Sequence, residues 1–247
     1  MTRFKKALMP AISVLLLFVV WQLAVLMFKL PTYILPGPVE IFGGIWDQSD
    51  KLGSNITVTL GNTLIGFVIG TAIGLGLAVV MVLSGWIYDF VMPVAVAISS
   101  VPTAAFVPLA LIWFGMGDES KIAMAALAVS FAVLLNAVTG LQSSPRDQVN
   151  LLRSFGASRF KVLLKLQLPA AMPSIMTGMR VGLSRATITV IVTEMLGAYS
   201  GIGQVIYQAT SVVDYVTVWA AVLVASAGSL VLYGLLAALD ARLVWWR

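Results

Sequence analysis

The chain has 247 residues, of which 60% are hydrophobic and 10% charged, with a mean hydropathy of +1.01. A soluble domain carries roughly 25% charged residues, so this composition leaves too little polar surface for a water-facing globule and assigns the chain to the bilayer. The chain contains no Cys and no His, which excludes disulfides, the usual transition-metal centres and the commonest general base. The formal charge of +5 raises nucleic acid as a partner, and the placement of the basic residues decides the question.

A membrane-spanning helix needs about 20 mostly apolar residues, since the hydrocarbon core is ~30 Å thick and each residue rises ~1.5 Å. Six stretches meet that length: approximately 10–28, 56–83, 91–115, 122–141, 173–196 and 216–239. The expected class is an all-α, polytopic membrane protein of one domain over 1–247, without repeats or low-complexity tracts. The first stretch follows Arg3, Lys5 and Lys6 and runs into Phe28-Lys29-Leu30-Pro31 with no small-residue cleavage site, so it reads as an uncleaved signal anchor. With six spans both ends share a side. Placed in the cytoplasm, that side collects Arg3, Lys5, Lys6, Arg146, Arg153, Arg159, Lys161, Lys165, Arg242 and Arg247, against Lys29, Lys51 and Lys121 opposite. This is the positive-inside pattern, although the connection 84–90 has no Lys or Arg. Trp21, Trp86, Trp113, Trp219, Trp245 and Trp246 fall near span ends, as interfacial aromatics do. Topology therefore accounts for the basic surplus, and nucleic acid is not needed.

The second span carries Gly66, Gly70 and Gly74 at a four-residue stride, with Gly76 alongside. Small residues so spaced form a flat stripe on which another helix can lie close. The third span holds Pro93, Pro102 and Pro108, which delete backbone hydrogen bonds and predict a kink or break. Freed carbonyls at membrane depth are tolerated inside protein or against a wet cavity, so this segment, with the hydroxyls of Ser99, Ser100 and Thr103, is either a pathway lining or a packing kink.

The fifth span puts Arg180, Arg185 and Glu194 in an otherwise apolar stretch. Intramembrane charges cost several kcal/mol and normally face protein interior or water. Arg180, Thr187 and Glu194 recur at seven-residue intervals, nearly one helix face; Gly178, Gly182, Arg185 and Thr189 form an adjoining small and polar face. The candidate translocation path is therefore lined by Arg180, Arg185, Thr189, Glu194, Ser99 and Thr103. Arg180 is also placed to snorkel to the interface, and Glu194 to cap or pair near the outer surface.

Between the fourth and fifth spans lies the polar stretch 145–169. Pro145 suits a first helical turn, Asp147 complements the dipole there, and Gly156 can supply the positive φ that ends a short helix. A second amphipathic segment, 159–168, places Lys161 and Lys165 one turn apart, and Pro169 and Pro173 are expected to reset the chain for the next span. Leu151, Leu152, Phe155 and Phe160 are too many apolar residues for a linker, which points to a protein partner; a basic hairpin lying on the membrane is the other reading.

This loop resembles the EAA loop of ABC-importer permeases, whose pattern is Glu-Ala-Ala, a Gly six residues after the Glu, then hydrophobic-x-Leu-Pro. Gly156, Leu166, Leu168 and Pro169 fall at the matching spacings. Asn150 stands where the acidic residue belongs, and Leu151-Leu152 replace the alanines. The resemblance extends from about position 35 onward, through Leu35-Pro36-Gly37-Pro38, Trp113-Phe114-Gly115-Met116-Gly117, Arg153-Ser154-Phe155-Gly156-Ala157-Ser158, Gly182-Leu183-Ser184-Arg185-Ala186 and Thr193-Glu194-Met195-Leu196, and is similar to the nitrate/sulfonate/taurine branch. It implies a type I importer permease fold and two identical permease subunits around one path. It further implies a dimer of ABC ATPase subunits that bind ATP and Mg²⁺, and an extracytoplasmic substrate-binding protein. The substrates it implies are sulfonates, taurine, nitrate or bicarbonate, with thiamine-precursor pyrimidines and riboflavin among relatives. The implied docking residues are Asn150, Leu151, Arg153, Ser154, Phe155, Gly156, Ala157, Ser158, Leu168 and Pro169, with shape and apolar contact expected to outweigh a salt bridge. The chain has no Gly-x-x-x-x-Gly-Lys-Ser/Thr stretch, so ATP hydrolysis is expected on a separate chain and no cofactor on this one. A proton- or ion-coupled secondary transporter would call for more intramembrane carboxylates than Glu194, and a membrane enzyme for acid–base groups that the sequence lacks.

Overall fold

The structure, a computed structural model, describes residues 3–245, with the side chains of position 9 and of positions 12–245. Trp246 and Arg247 lie outside the described residues, as do the side chains of Arg3, Lys5 and Lys6. The described chain is all helical. In order come α1 (Arg3–Met27), α2 (Pro38–Asp47), α3 (Ser49–Leu83), α4 (Gly85–Ser99), a 3-10 turn (Thr103–Phe106), α5 (Val107–Phe114), α6 (Asp118–Gln142) and α7 (Arg146–Ser154). There follow α8 (Arg159–Val162), a π-helical turn (Leu163–Gln167), α9 (Leu168–Gly197), α10 (Ile202–Ser211) and α11 (Tyr215–Leu243).

Among the described residues, four helical runs are long and apolar enough to cross a membrane: α3, α6, the continuous run Arg159–Gly197 and α11. These match the second, fourth, fifth and sixth expected spans. The third is a bent pair, α4 with Thr103–Phe114, at 90°. The cause is local: Pro102 has no N–H to continue the helix, and its ring drives Val101 out of the helical region. Ser99 and Ser100 both donate their hydroxyls to the Val96 carbonyl, at 2.9 and 2.8 Å, beside the Ser100 N–H at 3.1 Å. The first expected span falls in α1. α1 is held by its aromatic residues: Trp21 meets Trp219 of α11 edge-on at 5.1 Å, and Phe18 meets Phe42 of α2.

The centre of the bundle is α6, gripped by α3 on one side and α9 on the other. The glycine stripe of α3 is the reason. A Cβ on Gly66 would collide with that of Ala125, one on Gly70 would lie 2.5 Å from the Ala126 carbonyl oxygen, and one on Gly74 2.5 Å from that of Ser130. The contacts advance together along both chains, so α3 and α6 run parallel. Gly140 against Ala171 and Ser174, Gly178 against Ala132 and Asn136, and Gly182 against Val129 advance in opposite senses, so α6 and α9 are antiparallel. Gly178 and Gly182 thus belong to helix packing and not to a polar face. Lipid tails give no hydrophobic drive between helices, and this backbone-to-backbone approach supplies the dispersion that replaces it.

The structure corrects one expectation about the loop. Leu168 and Pro169 do not close it, because the chain stays helical from Arg159 to Gly197. The π turn widens the ladder just before Pro169, with the Leu168 N–H bonded back to the Leu163 carbonyl. A helix so widened takes up a proline that lacks its donor without breaking.

Candidate functional site

Two regions hold the residues singled out in the sequence. The first is the elbow formed by α7 and α8. Pro145 precedes α7, Asp147 lies in its first turn and Arg153 in its last, each matching its end of the helix dipole. Gly156 has φ +79°. Its N–H bonds to the Arg153 carbonyl at 2.9 Å, and the Ala157 N–H reaches the Leu152 carbonyl at 3.0 Å. This double bond pattern is the Schellman ending, which needs a residue without a Cβ at the left-handed position. Ser158 then caps α8 by accepting from the Lys161 N–H at 3.3 Å. Ser154 is spent on the Leu151 carbonyl, at 2.8 Å.

The elbow presents apolar surface: Leu151 is 57% exposed, Phe155 80% and Phe160 55%. On the other face Val162 and Leu163 are buried, and the Arg159 guanidinium donates to the Leu83 carbonyl at 3.4 Å, tying α8 to the end of α3. Asn150 and Arg153, both exposed as well, line a cleft beside α7.

The second region is a cavity of about 360 Å³ at the bend between α4 and α5. Ser99, Ser100, Pro102, Thr103, Arg185 and Thr189 contribute to its lining. Arg185 is exposed, and no hydrogen bond or ion pair engages its guanidinium among the described residues. Helix α9 brings Arg185 and Thr189, one turn apart, against the broken segment that carries Ser99 and Thr103. Four of the six candidate path residues therefore meet.

The other two do not. Arg180 pairs with Asp240 of α11, whose side chain is 6% exposed. Asp240 lies one residue past the expected end of the last span, which hid the partner. Replacing Arg180 alone by Met should strand that carboxylate and cost about 3–5 kcal/mol, whereas the double change Arg180→Met with Asp240→Leu should recover most of it. Thermal unfolding of both variants in detergent checks this; equal losses would show that the pair does not act as a unit.

Glu194 is also removed from the cavity, because it is 1% exposed and fully engaged. Its carboxylate accepts from the Thr59 hydroxyl at 2.9 Å and from the Gly203 N–H at 2.9 Å. Next to it the Ile202 N–H bonds to the Thr59 oxygen and the Gly201 N–H to Asn55 Oδ1, both at 2.8 Å. The first three N–H groups at the start of α10 are thus capped by side chains from α3 and α9, with a carboxylate at the positive end of the helix dipole. Lys121, read from the sequence as an outer-surface charge, is buried beside this cluster, bonded to Asp118 at 2.9 Å and to the Ser200 carbonyl at 3.1 Å. Asn62 donates to the same Asp118 oxygen at 2.9 Å. None of these partners was read from the sequence. The signal was Gly201-Ile202-Gly203 just after a buried acid, since Gly201 has φ +112° and neither glycine leaves room for a Cβ.

One chain of the MetNI methionine ABC transporter, solved in inward-facing conformations, superposes with a TM-score of 0.62 at 20% identity, covering 84% of this chain and 95% of that one. The family described as binding-protein-dependent transport system inner membrane component matches residues 66–245, and the chain belongs to it as a membrane-embedded permease subunit of an ABC importer. The putative aliphatic sulfonates transport permease protein SsuC of Escherichia coli is 34% identical over 74% of this chain and 71% of its own length. The riboflavin transport system permease protein RibX of Chloroflexus aurantiacus is 32% identical over 96% and 89%. Relatives named for taurine, nitrate and formylaminopyrimidine transport are 28–30% identical.

Proposed function

We propose that this permease subunit carries a small anionic solute of the sulfonate, taurine, nitrate or bicarbonate class. The observation that carries the reading is the unengaged guanidinium of Arg185 beside Ser99, Thr103 and Thr189 at a break in the third span. With Arg180 neutralised by Asp240, Arg185 is the charge left to give this cavity positive potential. Arg185→Gln should lower uptake of the anion about 10- to 100-fold, the equivalent of the ~1.5–3 kcal/mol of a hydrogen bond to a charged group. The measurement is ATP-driven uptake in proteoliposomes, and an unchanged rate would remove Arg185 from the path. The second reading is an uncharged heterocycle such as riboflavin or a thiamine-precursor pyrimidine, favoured by the riboflavin permease that aligns with 96% of this chain. In that case Arg185→Gln leaves uptake of the heterocycle within about two-fold.

The partners follow the same reading. Both termini and α7 lie in the cytoplasm, a second identical copy completes the path, and an extracytoplasmic binding protein delivers the solute. A dimer of ABC ATPase subunits binds ATP and Mg²⁺ and docks on the elbow, where Leu151, Phe155 and Phe160 offer apolar contact. Docking matters only if the elbow makes different contacts in the two transport states. Gly156→Val puts a β-branched residue at φ +79° and should uncouple the complex: the ATPase copurifies less, and uptake falls at least ~10-fold while the permease stays folded. Normal copurification and uptake by this variant, combined with charge reversal at Arg153, would sink the docking assignment.

A further inference from the structure

Two cavities flank one ridge of α9. Between positions 177 and 188 the exposed residues of this helix are Thr177, Val181, Ser184, Arg185 and Ile188, and their spacing puts them on one face. On one side of the ridge lies the cavity that holds Arg185 and Thr189. On the other lies a cavity of about 470 Å³, lined by Thr187 and Ile191 of α9, Ile206 of α10, and Val222, Ser226 and Leu230 of α11. Ile188, 63% exposed, belongs to both linings, so a single side chain separates the two spaces.

Their chemistry differs. Among the described residues no charged side chain lines the second cavity, and its walls are chiefly aliphatic. Two of its three hydroxyls are spent on their own helices: Thr187 donates to the Leu183 carbonyl at 3.1 Å and Ser226 to the Val222 carbonyl at 2.8 Å. Water in such a space lacks the several polar partners that would hold it, and a small hydrated anion gains nothing there. Apolar surface on a spanning helix ordinarily faces lipid, but this ridge does not. It carries the Arg185 guanidinium three residues from Ile188, exposed and without a partner among the described residues, and an unpaired charge at membrane depth faces water or protein. Both cavities beside the ridge therefore open toward the side of the chain that holds the transport path.

We infer, on the reading of Arg185 as the partner of the anion, that the solute is an organic anion with an apolar body. Its charged group sits at Arg185, and its hydrocarbon part crosses Ile188 into the cavity between α9, α10 and α11. Each methylene that leaves water for this cavity strengthens binding about four-fold, the equivalent of ~0.8 kcal/mol. Inorganic anions fill only the first cavity and forgo that gain.

The test measures binding of radiolabelled methane-, propane- and hexanesulfonate, which carry one charge each and differ only in methylenes. The complex, with the chains that copurify with it, is held in nanodiscs for equilibrium dialysis, and binding to empty nanodiscs is subtracted. In the wild type, affinity should rise at least ~50-fold from methane- to hexanesulfonate, part of the chain staying in water. S226L fills the cavity from an exposed position and should bring that ratio below about five. S229L, one turn along the same lining, should do likewise and stands in if S226L fails to fold. R185Q should weaken all three sulfonates alike, by about 10-fold or more, and keep the ratio. L235A, exposed on α11 and in neither lining, should match the wild type. Thermal unfolding identifies the folded variants. Equal affinity of the wild type for all three sulfonates, with methanesulfonate still lost in R185Q, overturns the apolar subsite and leaves Arg185 as the partner of the anion. An undiminished ratio in folded S226L and S229L overturns the subsite as well. R185Q without effect on any sulfonate, or a wild type that binds none of them, removes the anion from Arg185 and the proposal with it. Loss of the second permease copy from S226L and S229L in native mass spectra, with no dependence on chain length in the wild type, assigns the cavity to contact between copies and overturns the proposal.

Discussion

Gly70→Val is expected to destabilise the protein by about 3 kcal/mol or more, the upper end of what overpacking costs. The added Cβ alone would lie 2.5 Å from the Ala126 carbonyl oxygen, 2.7 Å from Val129 Cβ and 3.0 Å from Ala126 Cα. Two of these neighbours are backbone, so no rotamer change relieves the clash and the helices must separate. Separation propagates, because Gly66 and Gly74 seat against the same helix one turn away on either side. Gly76→Val, on the same helix with nothing within 4 Å, is the control and should change stability by no more than about 1 kcal/mol. Thermal melts in detergent compare the two. At roughly 2–4 °C per kcal/mol the Gly70 variant should melt about 6–12 °C lower. Equal melting temperatures would mean that α3 and α6 are not in backbone contact.

A large but local effect is expected from Glu194→Ala. It leaves the Gly203 N–H without its partner in a buried setting, at about 1–3 kcal/mol, while the Thr59 hydroxyl still has the Asn55 carbonyl at 3.2 Å. It also removes the negative charge from the start of α10, where the dipole favours it. The loss should be local. Amide exchange in the segment Ile202–Ser211 is expected to rise at least ~10-fold, while the amides of α6 keep their protection. Glu194→Gln retains an acceptor for Gly203 and should lose less than half as much. If exchange in α10 stays unchanged in Glu194→Ala, the capping account of Glu194 is wrong. This prediction also separates Glu194 from the path: exchange should respond to Glu194 but not to Arg185, which bonds to nothing at the start of α10.

The difference between these two carboxylate and guanidinium positions shows what a one-dimensional reading can see. Arg180, Thr187 and Glu194 share a helical face in the sequence, and a seven-residue stride was the argument for a common wall. In the structure that face points into the bundle. Arg180 meets Asp240, Thr187 bonds to the Leu183 carbonyl at 3.1 Å, and Glu194 meets Thr59. Helical periodicity states which residues point the same way; it does not state whether that way leads to water or to another helix. Arg185 and Thr189, offset from that face, reach the cavity because the broken third span stops short of them.

Several features were decided by the sequence alone. Composition placed the chain in the bilayer, since no packing can hide so much apolar surface in water. The break at Pro102, the glycine stripe of α3 and the left-handed turn at Gly156 are local consequences of sterics, and the structure shows each of them. The loop at 145–169 was also legible, because its punctuation is carried by Pro145 and Gly156 within a few residues. The tertiary structure decided the rest, and the reason is partner choice across long separations. Thr59 to Glu194, Lys121 to Ser200, and Arg180 to Asp240 join residues 60 to 135 apart in the chain. A buried charge must find a partner, and the sequence states that need without stating which helix answers it. The continuity of the helix through Pro169 belongs to the same category, because a π turn two residues upstream changed what that proline costs.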